Sequence, residues 1–547
     1  MTGSDALLDA LAEQGVEVIF GNPGTTELPF VQSLAGPGRP RFVLGLTEPV
    51  AVGMADGYAQ TTGRLGVVLV HVQPGMANAL SGILNAARAR VPMLVVVGQQ
   101  VQEMLPGAPF LGGDVIGMCR PLVRFAEEVT DAAQLGDVLS RAVAAAYGPP
   151  AGPAVISVPL DVQSAEAPRL RTEPWGPRQL GAPAAADIDR AVALLAGARR
   201  PIILAGDSVA DADAGLLLSR LAARIGAPVR GEAFGARLPM FTGDQAWQGT
   251  TPRFANEIHG LLEGHDVVLA IGMPMFRLFG WSPGPSVPTG TRVIHIDVDP
   301  AEIGRMVTPD VGIVADPDIA LAALLDGLGD PDAEATERAQ HVGAASRGMR
   351  DAAAVAVQAR ATSNDTRISP AALSRAIADA VTPDDLLIDE GITATRDLRA
   401  AVGDRVPGSC LWHRGSALGW GLPAGVGASL ATPSRPVVVV QGDGSLMFGV
   451  PALWTAAREG LNVALVVADN GGYEVLEGGM RALAGPQADA WPGLDLSGPR
   501  MDIAKICAGF GATAATVCHA DDVSAAMTDL RARSGYGPAV LVAEITR

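Results

Sequence analysis

The chain has 547 residues, of which 48% are hydrophobic, and carries a formal net charge of -18 at pH 7. This length exceeds what one hydrophobic core supports, so several domains are expected, and the acidic balance disfavours a nucleic-acid or membrane partner. The N-terminus has no export signal, and no apolar run is long enough to cross a bilayer, so the sequence predicts a cytoplasmic protein.

Short β-branched runs alternate with alanine-rich helical stretches along the whole chain. This pattern is typical of parallel sheets that are covered by helices on both faces. The predicted fold class is therefore α/β, with three doubly wound parallel-sheet domains. The first unit, residues 1–165, begins with an amphipathic helix that runs into a strand, and its predicted strands are residues 16–20, 66–72, 93–99 and 154–159.

Two further units follow a predicted linker at residues 164–187, which is rich in proline, alanine and arginine and shows little periodicity. The middle unit, residues 185–340, has predicted strands at residues 201–206, 267–272 and 292–299. The third unit, residues 360–547, has predicted strands at residues 385–390, 437–444, 461–470 and 539–545. Open α/β sheets bind ligands at the carboxyl ends of such strands, where the polar and glycine-rich segments of this chain lie.

Two of these polar segments predict a metal site in the third unit. They read GDGS at 442–445 and NGGY at 470–473. The spacing leaves room for a crossover helix, so Asp443 and Asn470 can meet at neighbouring strand ends. Their oxygens suit Mg²⁺, and the glycines allow the backbone to approach a diphosphate. Alone, Gly-Asp-Gly would predict only a turn, but the paired Asn-Gly-Gly favours the metal site.

The pair of segments resembles the signature of thiamine-diphosphate-dependent enzymes, and an independent match lies in the first unit. There GNPGTTELPF, LTEPVAVGMADGYAQTTG and VVLVHVQPGMANAL resemble the pyrimidine-binding domain of the family that contains acetolactate synthase, pyruvate decarboxylase and benzoylformate decarboxylase. The resemblance implies thiamine diphosphate and Mg²⁺ as cofactors. It also implies a pyrimidine-binding domain at 1–165, a middle domain at 185–340 and a diphosphate-binding domain at 360–547.

The same resemblance implies the cofactor contacts. Glu48 occupies the position of the family glutamate, which activates the cofactor through its pyrimidine ring; standing alone, Glu48 would be a helix N-terminal charge. Leu418 matches the apolar wedge that bends the cofactor, although a core leucine is the alternative, and the carbonyl of Ser416 accepts a hydrogen bond from the pyrimidine. The metal ligands implied are Asp443, Asn470 and the carbonyl of Gly472. The remaining cofactor contacts implied are Gly391, Ile392, Thr393, Gly442, Gly444, Ser445 and Tyr473.

The likeness covers nearly the whole chain and extends to benzoylformate decarboxylase in particular. By position, His71 matches an active-site histidine that can relay protons, and Thr25 replaces a serine that contacts the substrate carboxylate. At Phe279, however, benzoylformate decarboxylase has a second catalytic histidine, and phenylalanine cannot transfer a proton. Either another group transfers it, with His413 as a candidate that has a structural role as its alternative, or a second carbonyl compound captures the reacting group.

The substrate and the assembly are also predicted. Besides Thr25 and His71, an apolar substrate pocket would be lined by Phe110, Phe279, Trp412 and Leu476, each of which has ordinary core packing as its alternative. Such a pocket suits an aromatic or branched 2-oxo acid. The resemblance implies a homodimer or homotetramer with active sites between subunits.

The predicted function is non-oxidative decarboxylation of a 2-oxo acid, with carboligation as a further outcome. Two alternatives stay open. One is an acetolactate-synthase-like carboligase, which in part of that family also binds FAD. The other is a non-catalytic cofactor-binding subunit, against which the full metal motif and Glu48 argue.

Overall fold

The computed structural model describes residues 1–170, 175–362, 366–484 and 491–547. Within these ranges the chain forms three sheets of six strands each, and every strand pair is parallel. Helices flank each sheet. The α/β fold class with three parallel-sheet domains is thereby confirmed. In these described ranges, no helix combines the length and the apolar character that crossing a bilayer would require.

The first sheet lies in the N-terminal part of the chain, and all four predicted strands form there. Its strands are β1 (Val18–Asn22), β2 (Arg41–Leu44), β3 (Gly66–Val70), β4 (Met93–Gln99), β5 (Phe125–Glu128) and β6 (Pro153–Pro159). The helices around it are α1 (Gly3–Glu13), α2 (Leu28–Leu34), α3 (Glu48–Thr62), α4 (Val72–Arg88), α5 (Val115–Cys119), α6 (Leu135–Tyr147) and α7 (Leu160–Ser164). Thr2 and Asp5 form the capping box that begins α1.

The second sheet contains the three predicted strands and three shorter ones. Its strands are β7 (Pro201–Ala205), β8 (Val229–Gly231), β9 (Trp247–Thr250), β10 (Val267–Ile271), β11 (Arg292–Asp297) and β12 (Val311–Val314). Its helices are α8 (Ala185–Ala196), α9 (Asp207–Asp211), α10 (Gly215–Ile225), α11 (Ala255–Leu262), α12 (Pro317–Leu328) and the long α13 (Ala333–Ala361).

The third sheet contains the four predicted strands. Its strands are β13 (Leu386–Glu390), β14 (Cys410–Trp412), β15 (Val437–Gly442), β16 (Val463–Asp469), β17 (Thr513–Val517) and β18 (Ala539–Glu544). Its helices are α14 (Pro370–Ala380), α15 (Leu398–Ala401), α16 (Gly421–Ala431), α17 (Asp443–Gly449), α18 (Ala452–Glu459), α19 (Glu474–Ala484), α20 (Ile503–Gly509) and α21 (Val523–Arg533). The inner strands β15 and β16 are almost wholly buried, which explains their continuous apolar sequences.

The strand order shows that two of the domains are more alike than their sequences suggest. The first sheet has the order β2-β1-β3-β4-β6-β5, and the third has the corresponding order β14-β13-β15-β16-β18-β17. The middle sheet differs, with the order β9-β8-β7-β10-β11-β12. This last order is that of dinucleotide-binding sheets, whose ligand crevice lies where the order reverses, here between β7 and β10.

Helices α3 and α16 join the first domain to the third within one chain. Small residues allow their backbones to approach closely: a Cβ added to Gly53 would lie 2.7 Å from the Pro423 side chain, and one added to Gly427 would lie 1.9 Å from the Met54 carbonyl oxygen. Residues of both helices belong to one buried core that continues into the first and third sheets. The two domains are therefore packed as a unit.

The predicted linker at 164–187 forms no regular element between Ser164 and Ala185 in the part that the structure describes. Residues 171–174 of that linker lie outside the described residues. The predicted domain bounds, 1–165, 185–340 and 360–547, stay predictions.

Candidate active site

Glu48 and His71 come together at the carboxyl edge of the first sheet. Glu48 is the first residue of α3 and is 8% exposed, and its Oε2 accepts a hydrogen bond from Nδ2 of Asn78 at 3.1 Å. His71 precedes α4. A Cβ added to Gly75 would lie 3.2 Å from Oε1 of Glu48 and 3.4 Å from Cβ of His71. The two predicted residues therefore flank one glycine, while the predicted Thr25 is exposed in the turn after β1.

The structure adds Glu27, which the sequence reasoning missed, to this group. Its side chain is fully buried, and its Oε2 lies 2.8 Å from Nδ1 of His71. The only signal in the sequence was an acidic residue two positions after Thr25, in the short helical turn that follows β1. A carboxylate at this distance restrains the ring of His71.

Asp443 and Asn470 meet at neighbouring strand ends, as the spacing predicts. Strands β15 and β16 pair directly, and Oδ2 of Asp443 accepts the N–H of Gly471 at 2.9 Å. Oδ1 of Asn470 accepts the N–H of Gly472 at 3.1 Å. Burial raises the pKa of Asp443 to about 6, and the neighbouring carboxylate of Asp469 adds to this effect. A cation placed here would favour the ionised carboxylate.

The residues present in this segment fit Mg²⁺ and a diphosphate. Within the described ranges, no group of three or more histidine, cysteine and acidic side chains forms a metal cluster, so amide, backbone and phosphate oxygens would have to complete the coordination. Hard oxygen donors of this mixed kind are those that Mg²⁺ accepts. A Cβ added to Gly444 would lie 2.6 Å from the Tyr473 ring, so only glycine lets Tyr473 pack against α17.

Arg547, at the C-terminal end of the third domain, holds the turn 470–472, which contains two of the predicted metal ligands. Its Nε donates to the carbonyl of Asn470 at 3.0 Å, and its Nη1 pairs with Glu477 at 3.0 Å. Its guanidinium also donates to the carbonyl of Gly471. No local motif marks Arg547, so the sequence offered no signal for this contact.

A buried hydrogen-bond network lies beneath the three predicted cofactor segments of the third domain. Oε1 of Glu390, at the end of β13, accepts the N–H of Gly419 at 2.8 Å, and its Oε2 accepts the N–H of Gly421. Nε2 of Gln441 donates to Glu390 at 3.0 Å and to Oγ of Ser445 at 3.1 Å. Burial raises the pKa of Glu390. The network joins the segments 391–393, 416–418 and 442–445, and sequence reasoning missed Glu390 and Gln441.

Backbone strain occurs at the predicted positions. Ile392 has φ 54°, Ser416 has φ 73°, and Val72, next to His71, has φ 31°. Non-glycine residues in this region cost free energy and concentrate at functional sites. Three of the six non-glycine residues with positive φ in the described ranges thus lie at or beside predicted positions, and the other three are Arg90, Ala108 and Asp213.

The turn that carries Ser416 and Leu418 is held by one side chain of the first domain and one of the third. Asn85 of α4 bonds both the N–H and the carbonyl of Ala417, at 3.1 and 2.9 Å. Nε2 of His413 lies 2.8 Å from the same carbonyl oxygen, so this ring nitrogen is engaged within the turn. Leu418 is partly exposed and lies outside the buried core clusters of the described residues, as a residue that contacts a ligand would be.

Arginines of the first and third domains fill the crevice of the middle sheet. Arg414 forms buried ion pairs with Asp207, which follows β7, and with Glu232 at 3.0 Å. Arg90, after α4, pairs with Asp297 at 2.9 Å. Burial raises the pKa of Glu232 to about 7. These ion pairs lie at strand ends on the edge where sheets of this order bind dinucleotides.

The predicted apolar pocket residues differ widely in exposure within one chain. Phe110 is 97% exposed, and Phe279 and Leu476 are 59% and 50% exposed. Trp412 is buried beneath the guanidinium of Arg399, 4.1 Å from the ring centroid. A cavity of about 610 Å³ lies beside the loop 105–116, but none of the predicted site residues lines it.

The two halves of the candidate site are also separate within one chain. In the part of the chain that the structure describes, no hydrogen bond or ion pair joins Thr25, Glu48 or His71 to the metal segment or to the segments around Ile392 and Leu418. Each half is built by its own sheet.

Comparison with known proteins shows what this arrangement is similar to. Family models of thiamine pyrophosphate enzymes match residues 1–112 (N-terminal TPP binding domain), 188–324 (central domain) and 402–543 (C-terminal TPP binding domain). Benzoylformate decarboxylase of Pseudomonas aeruginosa is 31% identical over 531 residues, which cover 96% of each chain. Acetolactate synthase isozyme 3 large subunit of Escherichia coli is 28% identical over 489 residues, 86% of this chain and 82% of that one.

A solved structure extends the likeness to three dimensions. The thiamine diphosphate-dependent 4-hydroxybenzoylformate decarboxylase of Rhodococcus jostii superposes with a TM-score of 0.88 at 28% identity. The match covers 100% of this chain and 99% of that chain. The similarity thus includes all three domains and their arrangement.

Proposed function

The chain belongs to the thiamine pyrophosphate-dependent family of decarboxylases and carboligases, and on this premise we propose that it decarboxylates a 2-oxo acid without oxidation. The proposed cofactors are thiamine diphosphate and Mg²⁺, and the proposed substrate side chain is aromatic or branched. The proposed products are CO₂ and an aldehyde, or CO₂ and the product of carboligation with a second carbonyl compound.

The contact between the Asp443 and Asn470 strand ends carries this proposal. The hydrogen bond from the Gly471 N–H to Asp443 supports the proposal, because it joins the carboxylate to the turn that carries the amide oxygen of Asn470 and the carbonyl of Gly472. These three groups would hold Mg²⁺, and the metal would hold the diphosphate. A Cβ added to Gly442 would meet nothing within 4 Å, so this glycine would leave space for the phosphates, and Ser445 would add a hydroxyl group.

The first domain supplies the groups that move protons. When bound, thiamine diphosphate supplies a ring carbon that accepts the electron pair released as CO₂ leaves. Glu48, which Asn78 orients, would hydrogen-bond the pyrimidine ring and control its protonation. His71 would exchange a proton with the substrate, and Thr25 would donate a hydrogen bond to the substrate carboxylate.

We propose that each site is completed by a second copy of the chain in a homodimer or homotetramer. The separation of the two halves within one chain supports this assembly. So does the exposure of Leu28, Phe110 and Leu476, which lie on or next to the predicted segments. Bulky apolar side chains exposed at a polar site are typical of surfaces that a partner covers.

Phe279 leaves the last proton transfer without a second histidine. Its ring packs against Phe254 and Phe234 at centroid distances of 5.9 and 6.4 Å, so Phe279 belongs to a cluster of three aromatic rings. Nε2 of His413 is engaged with Ala417, which favours a structural role for His413. A slow final protonation would give a second carbonyl compound time to react, and this supports carboligation as a further outcome.

The rival functions are an acetolactate-synthase-like carboligase, which in part of that family also binds FAD, and a non-catalytic cofactor-binding subunit. Arg414 and Arg90 form ion pairs at strand ends of the middle sheet, on the edge where a dinucleotide such as FAD would bind. These contacts favour an enzyme without flavin. The visible absorption spectrum of the purified protein tests this point, because bound flavin absorbs near 450 nm whereas the proposed enzyme would show no such band.

The proposed function is tested by measuring CO₂ release from a panel of aromatic, branched and short 2-oxo acids with thiamine diphosphate and Mg²⁺. The panel is run with and without aldehyde acceptors, and the products are identified by chromatography. Faster release from benzoylformate-like acids than from pyruvate is expected. No CO₂ from any acid, despite bound cofactor, would leave the non-catalytic subunit as the better description.

A further inference from the structure

The buried glutamate beside His71 has a complete set of hydrogen-bond donors. Oε2 of Glu27 accepts the N–H of Gly24 at 2.7 Å and faces Nδ1 of His71 at 2.8 Å. Oε1 accepts the hydroxyl of Thr26 at 2.6 Å. Glu27 is 0% exposed, whereas the side chain of His71 is 18% exposed. The ring therefore has one edge buried against a carboxylate and another that reaches the surface.

The hydrogen positions follow from this set. An ionised carboxylate only accepts hydrogen bonds. Oγ of Thr26 lies 3.1 Å from Nδ1 of His71, but its hydrogen is directed to Glu27, so it too accepts. Both oxygens that face Nδ1 are acceptors, and Nδ1 must therefore carry a hydrogen. Neutral His71 then has Nε2 as its free acceptor, and no residue within the described ranges hydrogen-bonds that atom.

Close packing prevents the pair from rearranging. A Cβ added to Gly24 would lie 2.3 Å from Nδ1 of His71, and one added to Gly98 on β4 would lie 1.6 Å from Oε1 of Glu27. A side chain at Gly24 would collide with the ring of His71, and one at Gly98 would collide with the carboxylate of Glu27. The backbone at Gly24 and at Gly98 therefore fixes the positions of the ring and the carboxylate.

We propose that Glu27 is a positioning residue for the reaction, acting through His71. It fixes the ring with Nε2 directed to the substrate side and stabilises the imidazolium that forms when Nε2 takes up a proton, as the aspartate of a catalytic triad does for its histidine. The role rests on the proposed function of His71. Glu48 is a further acidic group near His71: a Cβ added to Gly75 would lie 3.2 Å from Oε1 of Glu48 and 3.4 Å from Cβ of His71.

The test compares Glu27→Gln with Glu128→Gln in the full chain. Glu128 is a glutamate of the same domain that accepts hydrogen bonds from Gln99 and Ser157 at 3.2 and 3.0 Å, away from His71. With cofactors present, kcat of Glu27→Gln should fall roughly 10²-fold with a smaller change in KM. The acidic limb of the pH profile should move to lower pH, because the amide does not stabilise the imidazolium. Glu128→Gln should retain both the rate and the profile.

A second measurement needs no turnover. Diethyl pyrocarbonate acylates unprotonated imidazole, and mass spectrometry of the peptide that contains His71 reports the rate in cofactor-free protein. The pH at which this rate reaches half its maximum should fall in Glu27→Gln and not in Glu128→Gln. An unchanged pH in both variants would overturn the proposal.

The His71→Ala variant separates the two proposals. Introducing Glu27→Gln into that variant should produce no further loss of kcat, since the carboxylate would have no ring to position. If Glu27→Gln lowered kcat in the His71→Ala variant as much as it does in the parent chain, Glu27 would act on another group and the inference would be overturned. If His71→Ala itself retained full turnover, the role of His71 in the proposed function would fail, while the acylation measurement would still report on the pair.

Discussion

The first and third domains share one strand order but place different chemistry at equivalent strand ends. His71 follows the third strand of the first domain, where the third domain has Asp443. Glu48 begins the helix after the second strand, and Ser416 and Leu418 precede the corresponding helix α16. In the proposed function, one topology thus presents ionisable groups for proton transfer in one domain and oxygen donors for a metal in the other. The function lies in the side chains and not in the fold.

The two domains also hold these groups by different means. In the first domain other side chains orient them: Asn78 holds Glu48, and Glu27 holds His71. In the third domain main-chain N–H groups do so, as Gly471 does for Asp443 and Gly419 for Glu390. Substitutions in the first domain should therefore alter chemistry with little change in fold, whereas those in the third should alter binding or stability.

The largest effect is expected from Glu48→Gln. An amide cannot exchange a proton with the pyrimidine ring, so CO₂ release should fall roughly 10²- to 10⁴-fold, while circular dichroism and diphosphate binding stay near those of the parent chain. Glu17→Gln, at a surface glutamate whose side chain is 67% exposed, is the control. If Glu48→Gln released CO₂ as fast as the parent chain, Glu48 would not be one of the proton-transferring groups proposed for the first domain.

Arg414→Met tests the dependence of the third domain on its neighbours. Removing one partner of a buried ion pair should lower the free energy of unfolding by about 3 to 5 kcal/mol, because Asp207 and Glu232 would stay buried without their cation. Thermal unfolding measures the loss. Adding Asp207→Asn and Glu232→Gln to the same chain should recover much of it, and a melting temperature equal to that of the parent would refute the prediction.

Asp443→Asn should weaken the Mg²⁺-dependent binding of thiamine diphosphate roughly 10- to 100-fold, because the metal loses its charged ligand. Isothermal titration calorimetry at fixed Mg²⁺ concentration measures the affinity. Asp529→Asn, at an exposed carboxylate of α21, should bind as the parent chain does. Equal affinities in all three proteins would remove Asp443 from the metal site.

The smallest effect concerns Asp56, on α3 at the contact with α16. Burial raises its pKa from 3.8 to about 6, so the folded chain holds this proton more tightly than the unfolded chain. The stability that the proton confers is complete below pH 4 and is lost as the pH rises through about 6.

Asp56→Asn should therefore stabilise the chain by roughly 1 to 2 kcal/mol at pH 8, and by less at pH 5. The pH dependence of the melting temperature measures this difference. Asp9→Asn, at a partly exposed carboxylate of the same domain, provides the comparison. A gain that is equal at both pH values would show that the charge of Asp56 does not limit packing between the two domains.

The sequence by itself determined the α/β class, the positions of the inner strands and the pair formed by Asp443 and Asn470. Buried parallel strands leave continuous β-branched runs, and strand ends joined by one crossover can be paired from spacing alone. The roles of Glu48, His71 and Leu418 came from resemblance to the family and stay proposals.

Only the tertiary structure revealed that the first and third sheets share a strand order, that Glu27 holds His71, and that Glu390 bonds the backbone beside the predicted segment 416–418. The tertiary structure also revealed the ion pair between Arg414 of the third domain and Asp207 of the middle domain. These features depend on contacts between residues far apart in the chain, and a buried carboxylate looks like an exposed one in a sequence. Local periodicity records which face of an element is buried, but it does not record which distant group shares that burial.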